Sequence, residues 1–443
     1  MIMKICVVGA GYVGLVSAAI LADWQHNVVC VDHNEQKIED LLAGKLPIFE
    51  PGLQELVELN RRRQYLRFTA EMAEALRGCE MIIVAVGTPP AENGHPNLED
   101  FWAVVKSFRE NVGNNVIVMI KSTVPVGTGE AVSLYLNEKV SHTFSVVSAP
   151  EFLRQGTAVH DFLHPDRLVV GCMSPEIREQ MKELFQPLDC PKVFTDWHSA
   201  EMIKYASNSF LALKISYINT IANLCEAVGG NIQDVAAAVG LDHRIGQAYL
   251  KPGVGFGGSC LAKDTQGLIA QGEVHGVNVW MFKDVLEVNY EQRVHIVQRL
   301  TEVLGNLKGR KIAILGLAFK ANTDDLRDAP SVTIIAQIIK LGGLVKVYDP
   351  VVDSSSLPNI ISVSTADNPY AACQGVDAVI VLTEWEEFLD LDLKRLQKSM
   401  NAPVFIDGRY LFERKRLLEA GFFLPERPSS SEWPVVQSMI SAR

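Results

Sequence analysis

The stretch KICVVGAGYVGLVSAAILADW, residues 4–24, decides the fold. A β-branched run comes first, then glycines at 9, 11 and 14, then an unbroken helical run, which reads as strand, tight turn and helix. A second β-branched run, NVVCVD (27–32), ends on Asp32. A GxGxxG between strand and helix, with an acid closing the next strand, is the dinucleotide fingerprint. Gly9 permits the turn, Gly11 lets a pyrophosphate approach the backbone beside Val13, and Gly14 lets the helix pack on the sheet. The pyrophosphate is then expected at the helix N-terminus, where N–H groups and the helix dipole favour an anion. Asp32 is expected to accept from ribose hydroxyls and to repel a 2′-phosphate. NAD is therefore favoured over NADP, and FAD is the rarer ligand of the same fingerprint.

Outward from this stretch, strand and helix keep alternating. EMIIVAVGTPP (80–90), NNVIVMIKSTV (114–124) and HTFSVVSAPE (142–151) are further strands, with helical stretches among them. Continuous Val/Ile runs separated by helices predict a parallel sheet covered on both faces. After about residue 196 the character changes. HSAEMIKYASNSFLALKISYINTIANLCEAVGG (198–230) is a long helical pattern without proline, and more helix follows to about 304. Alternation resumes with RKIAILGLAFK (310–320), SVTIIAQIIKLGG (331–343), LVKVYDP (344–350), DAVIVLTEW (377–385) and PVFIDG (403–408). The two ends echo each other: VVCVDHN (28–34) resembles VKVYDPV (345–351). The predicted fold class is α/β, with two Rossmann-like doubly wound parallel-sheet domains, 1–196 and 305–443, joined by an all-helical domain, 197–304. The tail from Arg427 carries little signal.

Bulk properties narrow the partners. A chain of 443 residues suggests about three domains. A net charge of −11 opposes general adhesion to nucleic acid or anionic membrane, so an anionic ligand needs a local basic site. Glycine punctuation and the lack of a basic start argue against a signal peptide at the apolar opening. No run of about 20 apolar residues predicts a membrane span. Eight scattered cysteines form no CxxC pair, which predicts reduced thiols and a cytoplasmic setting. Ten histidines form no ligand cluster, so no metal is expected.

One cysteine stands apart. Cys260 lies in KPGVGFGGSCLAKD (251–264), where Gly257, Gly258 and Ser259 would allow close approach to a ligand. LAKDTQGLIAQ looks like a helix start, and a thiol at a helix N-terminus is more acidic, the more so beside Lys204 or Lys263. Lys204 and Asn208 are four apart on a proline-free helix and share a face. An alcohol dehydrogenase moving one hydride needs no nucleophile. A thiolate beside a hydride acceptor is useful when an aldehyde must become an acid, through a thiohemiacetal and a thioester that water cleaves. Lys204 and Asn208 suit the developing oxyanion.

GAGYVG, KSTVPVGT, APEFLRQGTAVHDFLHPDRLVVG, the Lys204/Asn208 helix, GFGGSCLAKD and GLAFKANTDDLRDAPS run in order along the chain. Together they resemble the UDP-glucose/GDP-mannose dehydrogenase family. The resemblance implies a four-electron oxidation of a sugar C6 hydroxymethyl group to carboxylate, with two NAD reduced in succession and no aldehyde released. It implies Cys260 as nucleophile, Lys204 and Asn208 as oxyanion stabilisers and Asp264 as organiser of the water and proton network. Glu151 and Thr123 are implied near the reacting carbon and the cofactor. It also implies Lys37, Thr88, Lys263 and Arg327 around NAD. The nucleotide sugar is expected against Phe152, Leu153, Arg154 and Gln155, against Tyr249, Leu250, Lys251, Pro252 and Gly253, and against Gly257 and Lys320. Arg244 in DHRIG is implied to reach the substrate of a partner subunit across a helical homodimer interface. Ala262, Ala321 and Asp328 depart from common family residues without removing a reacting group.

Alternatives stay open at this level. The GFGGSC form and YLKPG lean toward UDP-glucose, with GDP-mannose or a UDP-N-acetylhexosamine as competing sugars. A two-electron hydroxyacid dehydrogenase would not require Cys260 or the second α/β domain. A non-catalytic nucleotide-binding regulator would not need Cys260, Lys204, Asn208, Asp264 and Glu151 together.

Overall fold

The computed structural model describes residues 2–91, 94–358 and 361–425. They form two compact units: the described residues up to 207 with 266–278, and residues 208–265 with the described residues from 279 to 425.

The first unit is built on an eight-stranded sheet. Its strands are β1 (Lys4–Val8), β2 (Asn27–Val31), β3 (Leu66–Thr69), β4 (Met81–Val84), β5 (Val116–Ile120), β6 (Phe144–Ser148), β7 (Leu168–Gly171) and β8 (Lys192–Thr195). They lie in the order β3-β2-β1-β4-β5-β6-β7-β8. Successive β1 side chains enter opposite cores, Ile5 and Val7 one and Cys6 and Val8 the other, as the two-residue period requires. Burial on both faces explains why these strands read as continuous apolar runs. Every pairing is parallel except β6 with β7, which is antiparallel at Ser148 and Gly171. Strands β3, β7 and β8 are four residues each and were not expected from sequence; β3 alternates buried and exposed positions, too briefly to stand out.

The second unit carries a five-stranded, wholly parallel sheet. Its strands are β9 (Lys311–Leu315), β10 (Leu344–Tyr348), β11 (Ser364–Thr365), β12 (Ala378–Val381) and β13 (Val404–Asp407), in the order β11-β10-β9-β12-β13. The helix Pro330–Lys340 covers it through Ile334, Ile335 and Ile338.

The helical middle is present as Trp197–Val228, Ile232–Leu241, Leu261–Val274 and Trp280–Leu304. Its residues are shared between the two units, since the first and third of these helices each run from one unit into the other. Among the described residues no helix is long and apolar enough to cross a membrane.

Candidate active site

In the first unit the glycine turn has the geometry that the motif requires. Gly9 adopts φ +103°, and a Cβ there would lie 2.6 Å from the Ala85 carbonyl oxygen. A Cβ on Gly14 would lie 1.7 Å from the Gly9 oxygen, so helix and turn can meet only through glycine. Gly11 faces open space, and the helix Tyr12–Asp23 starts there without a side-chain cap. The turn thus offers room and an uncapped helix start, which fits a dinucleotide pyrophosphate.

Asp32 accepts from the Ala10 N–H at 2.8 Å, the Asn34 N–H at 3.1 Å and Lys37 Nζ at 2.7 Å. Burial alone would raise its pKa. The Lys37 hydrogen bond and the two N–H groups outweigh that and hold the carboxyl below the usual carboxylate range. Asp32 is therefore an anion, suited to ribose hydroxyls and opposed to a 2′-phosphate.

Farther along the same unit, Thr88 Oγ1 donates to the Thr123 carbonyl at 2.8 Å. Lys204 is buried and donates to the Glu151 carbonyl at 2.7 Å and to Glu151 Oε1 at 3.1 Å. The Leu153 N–H donates to Glu151 Oε2 at 2.5 Å. Phe152 lies beneath the Arg167 guanidinium at 4.0 Å, with Lys204 Nζ 5.4 Å from the same ring. Arg154 is tied to Asp161 through Nε at 2.9 Å and Nη2 at 2.6 Å.

In the second unit Cys260 immediately precedes the helix Leu261–Val274, and its carbonyl accepts from the Asp264 N–H at 2.9 Å. The thiol is half-buried, with Ser259 Oγ 3.6 Å from Sγ. Asp264 is fully buried and accepts from Asn208 Nδ2 and from Lys263 Nζ, each at 2.5 Å. Thiol, amide, ammonium and carboxylate are thus organised around one helix start. The other seven cysteines behave differently. All eight are unbridged, and six of those seven are buried. Burial pushes the Cys30 and Cys373 thiols up to about 12 and Cys79 to about 11, which keeps them inert.

The glycine loop before Cys260 is held from several sides. Asn219 Oδ1 accepts from the Gly253 N–H at 2.8 Å, and Asn289 Oδ1 from the Phe256 N–H at 2.7 Å. The Phe256 carbonyl accepts from Arg293 Nη2 at 2.8 Å, and the Arg327 carbonyl from the Gly258 N–H at 2.9 Å. A Cβ on Gly257 would sit 2.4 Å from the Asp328 oxygen, and one on Gly258 2.8 Å from the Phe319 ring. On the side where a Cβ would point, both glycines are covered by the chain's own 319–330 segment. These glycines are required for packing.

The remaining expected residues are placed unevenly. Leu250 is buried in an apolar cluster with Ile218, Ala222 and Cys225, so its side chain faces away from solvent. Pro252 is buried, while Lys251 is exposed and Tyr249 has φ +65°. Arg244 is exposed and chelates Asp242 at 2.6 and 3.0 Å; Arg327 does the same with Asp325 at 2.7 and 2.9 Å. Lys320 Nζ lies 5.8 Å from the Phe319 ring.

Residues not singled out from sequence also stand here. Arg409 follows β13, donates from Nε to the Leu382 carbonyl at 2.7 Å and from Nη2 to the Phe319 carbonyl at 2.8 Å, and lies against Gly253. Its position beyond the carboxyl end of a parallel strand was the available signal. Lys121, first residue of KSTVPVGT, is buried with its Nζ 3.2 Å from the Ala149 carbonyl. Burial lowers its pKa to about 8; Glu151 opposes that and Lys204 adds to it.

Residues 3–189 match the NAD binding domain of the UDP-glucose/GDP-mannose dehydrogenase family, residues 198–291 its central domain and residues 313–414 its UDP binding domain. The chain belongs to this family. It is 44% identical over 422 residues to UDP-glucose 6-dehydrogenase TuaD of Bacillus subtilis, covering 95% of this chain and 92% of the relative. To the UDP-glucose 6-dehydrogenase of Rhizobium meliloti it is 42% identical, covering 95% and 98%. A UDP-glucose dehydrogenase structure from Pyrobaculum islandicum matches with TM-score 0.89 at 37% identity, covering 96% and 98%. A UDP-D-ManNAc dehydrogenase structure from Pyrococcus horikoshii matches with TM-score 0.86 at 25% identity, covering 96% and 99%. The chain is an NAD-dependent dehydrogenase of the nucleotide-sugar class.

Proposed function

We propose that this dehydrogenase oxidises UDP-glucose to UDP-glucuronate at C6, using two NAD and one water per sugar and releasing no aldehyde. The observation that carries the reading is Cys260 at a helix start whose next turn holds the Asn208–Asp264–Lys263 cluster. The relatives named for this reaction support the sugar.

The glycine turn with Asp32, Lys37 and Thr88 would hold NAD, which would supply the hydride acceptor for each oxidation at C6. Cys260 then has two tasks. Its sulfur bonds to C6 of the aldehyde, whose oxygen takes up a proton, giving a thiohemiacetal. Loss of that proton and a hydride leaves a thioester. Water adds to the thioester carbon, the C–S bond breaks, and the thiol is regenerated as the carboxylate leaves. Lys204 and Asn208, one helical turn apart, stabilise charge on the C6 oxygen. Asp264, fixed by Asn208 and Lys263, orders the water. Thr123 and Glu151 flank the reacting carbon. Lys251 and Lys320, with Arg244 of a partner subunit, supply the positive charge that a diphosphate needs and that the overall balance lacks. In this reading 1–196 binds NAD, 197–304 carries the chemistry and 305–443 binds UDP.

The same reading includes a cytoplasmic homodimer. Phe210, Tyr217 and Leu224 lie seven residues apart on the long helix and are 59%, 50% and 56% exposed, an apolar stripe with heptad spacing. Arg244, also exposed, is free to reach a partner's substrate once its Asp242 pairing opens. Sedimentation of the wild type against Tyr217→Glu tests this: a dimer that becomes monomeric supports it, and a monomeric wild type ends it.

The function is tested by NADH formed per sugar with UDP-glucose, GDP-mannose and UDP-N-acetylglucosamine each limiting. Two NADH per UDP-glucose, and little from the others, is expected. One NADH per sugar would remove the thioester role of Cys260, and two from another sugar would change the substrate.

A further inference from the structure

Glu201 lies on the long helix one turn before Lys204 and is 4% exposed. Both its oxygens accept backbone N–H groups: Oε2 from Gly127 and Oε1 from Gly129, each at 2.7 Å. Ser148 Oγ, at the end of β6, donates to Oε1 at 3.0 Å. Gly127 is the N-cap residue of the helix Thr128–Asn137, sits at φ +96° and provides no side-chain cap of its own. Glu201 therefore caps that helix from 74 residues away. The fit is tight: a Cβ on Gly129 would lie 2.7 Å from Ser148 Oγ and 2.9 Å from Glu201 Oε1. Burial pushes the Glu201 carboxyl up, against the two N–H groups, Ser148 and His198. A buried carboxylate retained at that cost is one whose three donors are worth keeping in place.

The turn it holds begins at Thr123, which the reading above places beside the reacting carbon. It ends at Gly129, and the Thr123 carbonyl is pinned in front by Thr88. Ser122, Thr123, Ser148, Pro150, Glu201 and Lys204 line one small cavity.

We propose that Glu201 is a positioning residue: by clamping the 123–129 turn to the Lys204 helix, it sets Thr123 in its working place. This rests on the reading of Thr123 given above. The clamp needs two acceptors. A glutamine keeps the shape but turns a donor toward one N–H, while an aspartate keeps both acceptors at shorter reach.

A double-mutant cycle on the full-length enzyme tests it, with melting temperature recorded for each variant. Glu201→Gln is expected to lower kcat by about 10- to 100-fold while KM for NAD and for UDP-glucose moves less than about 3-fold. In a Thr123→Ala background the same change is expected to lower kcat less than about 3-fold further. Glu201→Asp is expected to recover part of the loss, and it replaces Glu201→Gln in the cycle if that variant does not fold. Equal losses in both backgrounds, or a lowered melting temperature with kcat intact, would overturn the proposal. A Thr123→Ala enzyme with full kcat would instead remove the role of Thr123 and the proposal with it. A wild type that does not oxidise UDP-glucose would fail the functional reading on separate grounds.

Discussion

The two sheets begin with the same device and use it for opposite ends. After β1, Gly9 donates to the Val31 carbonyl at 2.8 Å, and Asp32 ties down the Ala10 N–H. After β9, Gly316 donates to the Tyr348 carbonyl at 2.8 Å, and Asp349 accepts from Leu317 at 2.7 Å and Ala318 at 3.1 Å. Both glycines have positive φ, +103° and +93°, and both leave no room for a Cβ against the neighbouring strand's end. From there the turns diverge. The first enters its helix at Tyr12, with Gly11 facing open space. The second runs on to Pro330, whose missing N–H cannot serve an anion, and Asp349 also accepts from Val351, Val352 and Trp385. Its long segment holds the cysteine loop instead, through Gly257, Gly258 and the Arg293–Asp328 pair at 2.7 Å. One turn is open at its helix start, and the other is closed on the Cys260 loop. The loop grafted on the fold, not the fold, assigns the task.

The largest expected effect tests what the closed turn supports. Cys260→Ser is expected to keep binding of NAD and UDP-glucose, measured by calorimetry. Its rate of UDP-glucuronate formation is expected to fall about 1,000-fold or more. Wild-type turnover in that variant would leave the closed turn with no nucleophile to support.

Next comes the open turn. Gly11→Ala adds a Cβ that meets no atom within 4 Å in the free protein, so its melting temperature is expected to match wild type. The side chain would occupy the approach to the pyrophosphate, and KM for NAD is expected to rise about 100-fold. An unchanged KM would make the turn a packing device like its counterpart.

The paired aspartates give a smaller contrast. Asp349→Ala strands N–H groups at Leu317 and Ala318 and is expected to cost about 1–3 kcal/mol of stability in urea unfolding, with KM for NAD unmoved. Asp32→Ala is expected to raise KM for NAD and to narrow the preference over NADP. If both variants change NAD binding alike, the comparison between the turns breaks.

This contrast also shows what could be read from the chain. The repeat VVCVDHN and VKVYDPV revealed two similar sheets because each ends a strand on an aspartate at its turn, although β2 is buried from Val28 on while β10 alternates buried and half-buried positions. Strands β3, β7, β8 and β11 escaped notice, since two to four residues are too few for a period to declare itself. Cys260 and the Lys204/Asn208 face were legible because helix starts and i, i+4 spacing are local properties. Glu201, Lys121 and Arg293 were not, because their partners lie 28 to 74 residues away. Gly257 was legible as a close approach but not as an approach by Asp328, which only the folded chain brings to it.

A last contrast concerns β5 and β13, the strands that lie beyond β4 and β12 in the two sheets. Beyond β13 stands Gly408, where a Cβ would meet Val254 at 2.5 Å. Beyond β5 stands Lys121, with its amine buried. Its folded pKa of about 8 lies below its ordinary value of 10.5. Between those values the unfolded chain binds more protons than the folded one, so the stability from this group rises with pH across that window. Below the window both states carry the proton and the full burial cost is present. The rise is on the order of 3 kcal/mol at most. Lys121→Met removes the titrating group and, with it, the donor to Ala149. Urea unfolding of both proteins from pH 7.5 to 10 isolates the effect from other titrations. The stability of the variant relative to wild type is expected to fall steadily as pH rises. A difference constant with pH would mean that Lys121 keeps an ordinary pKa.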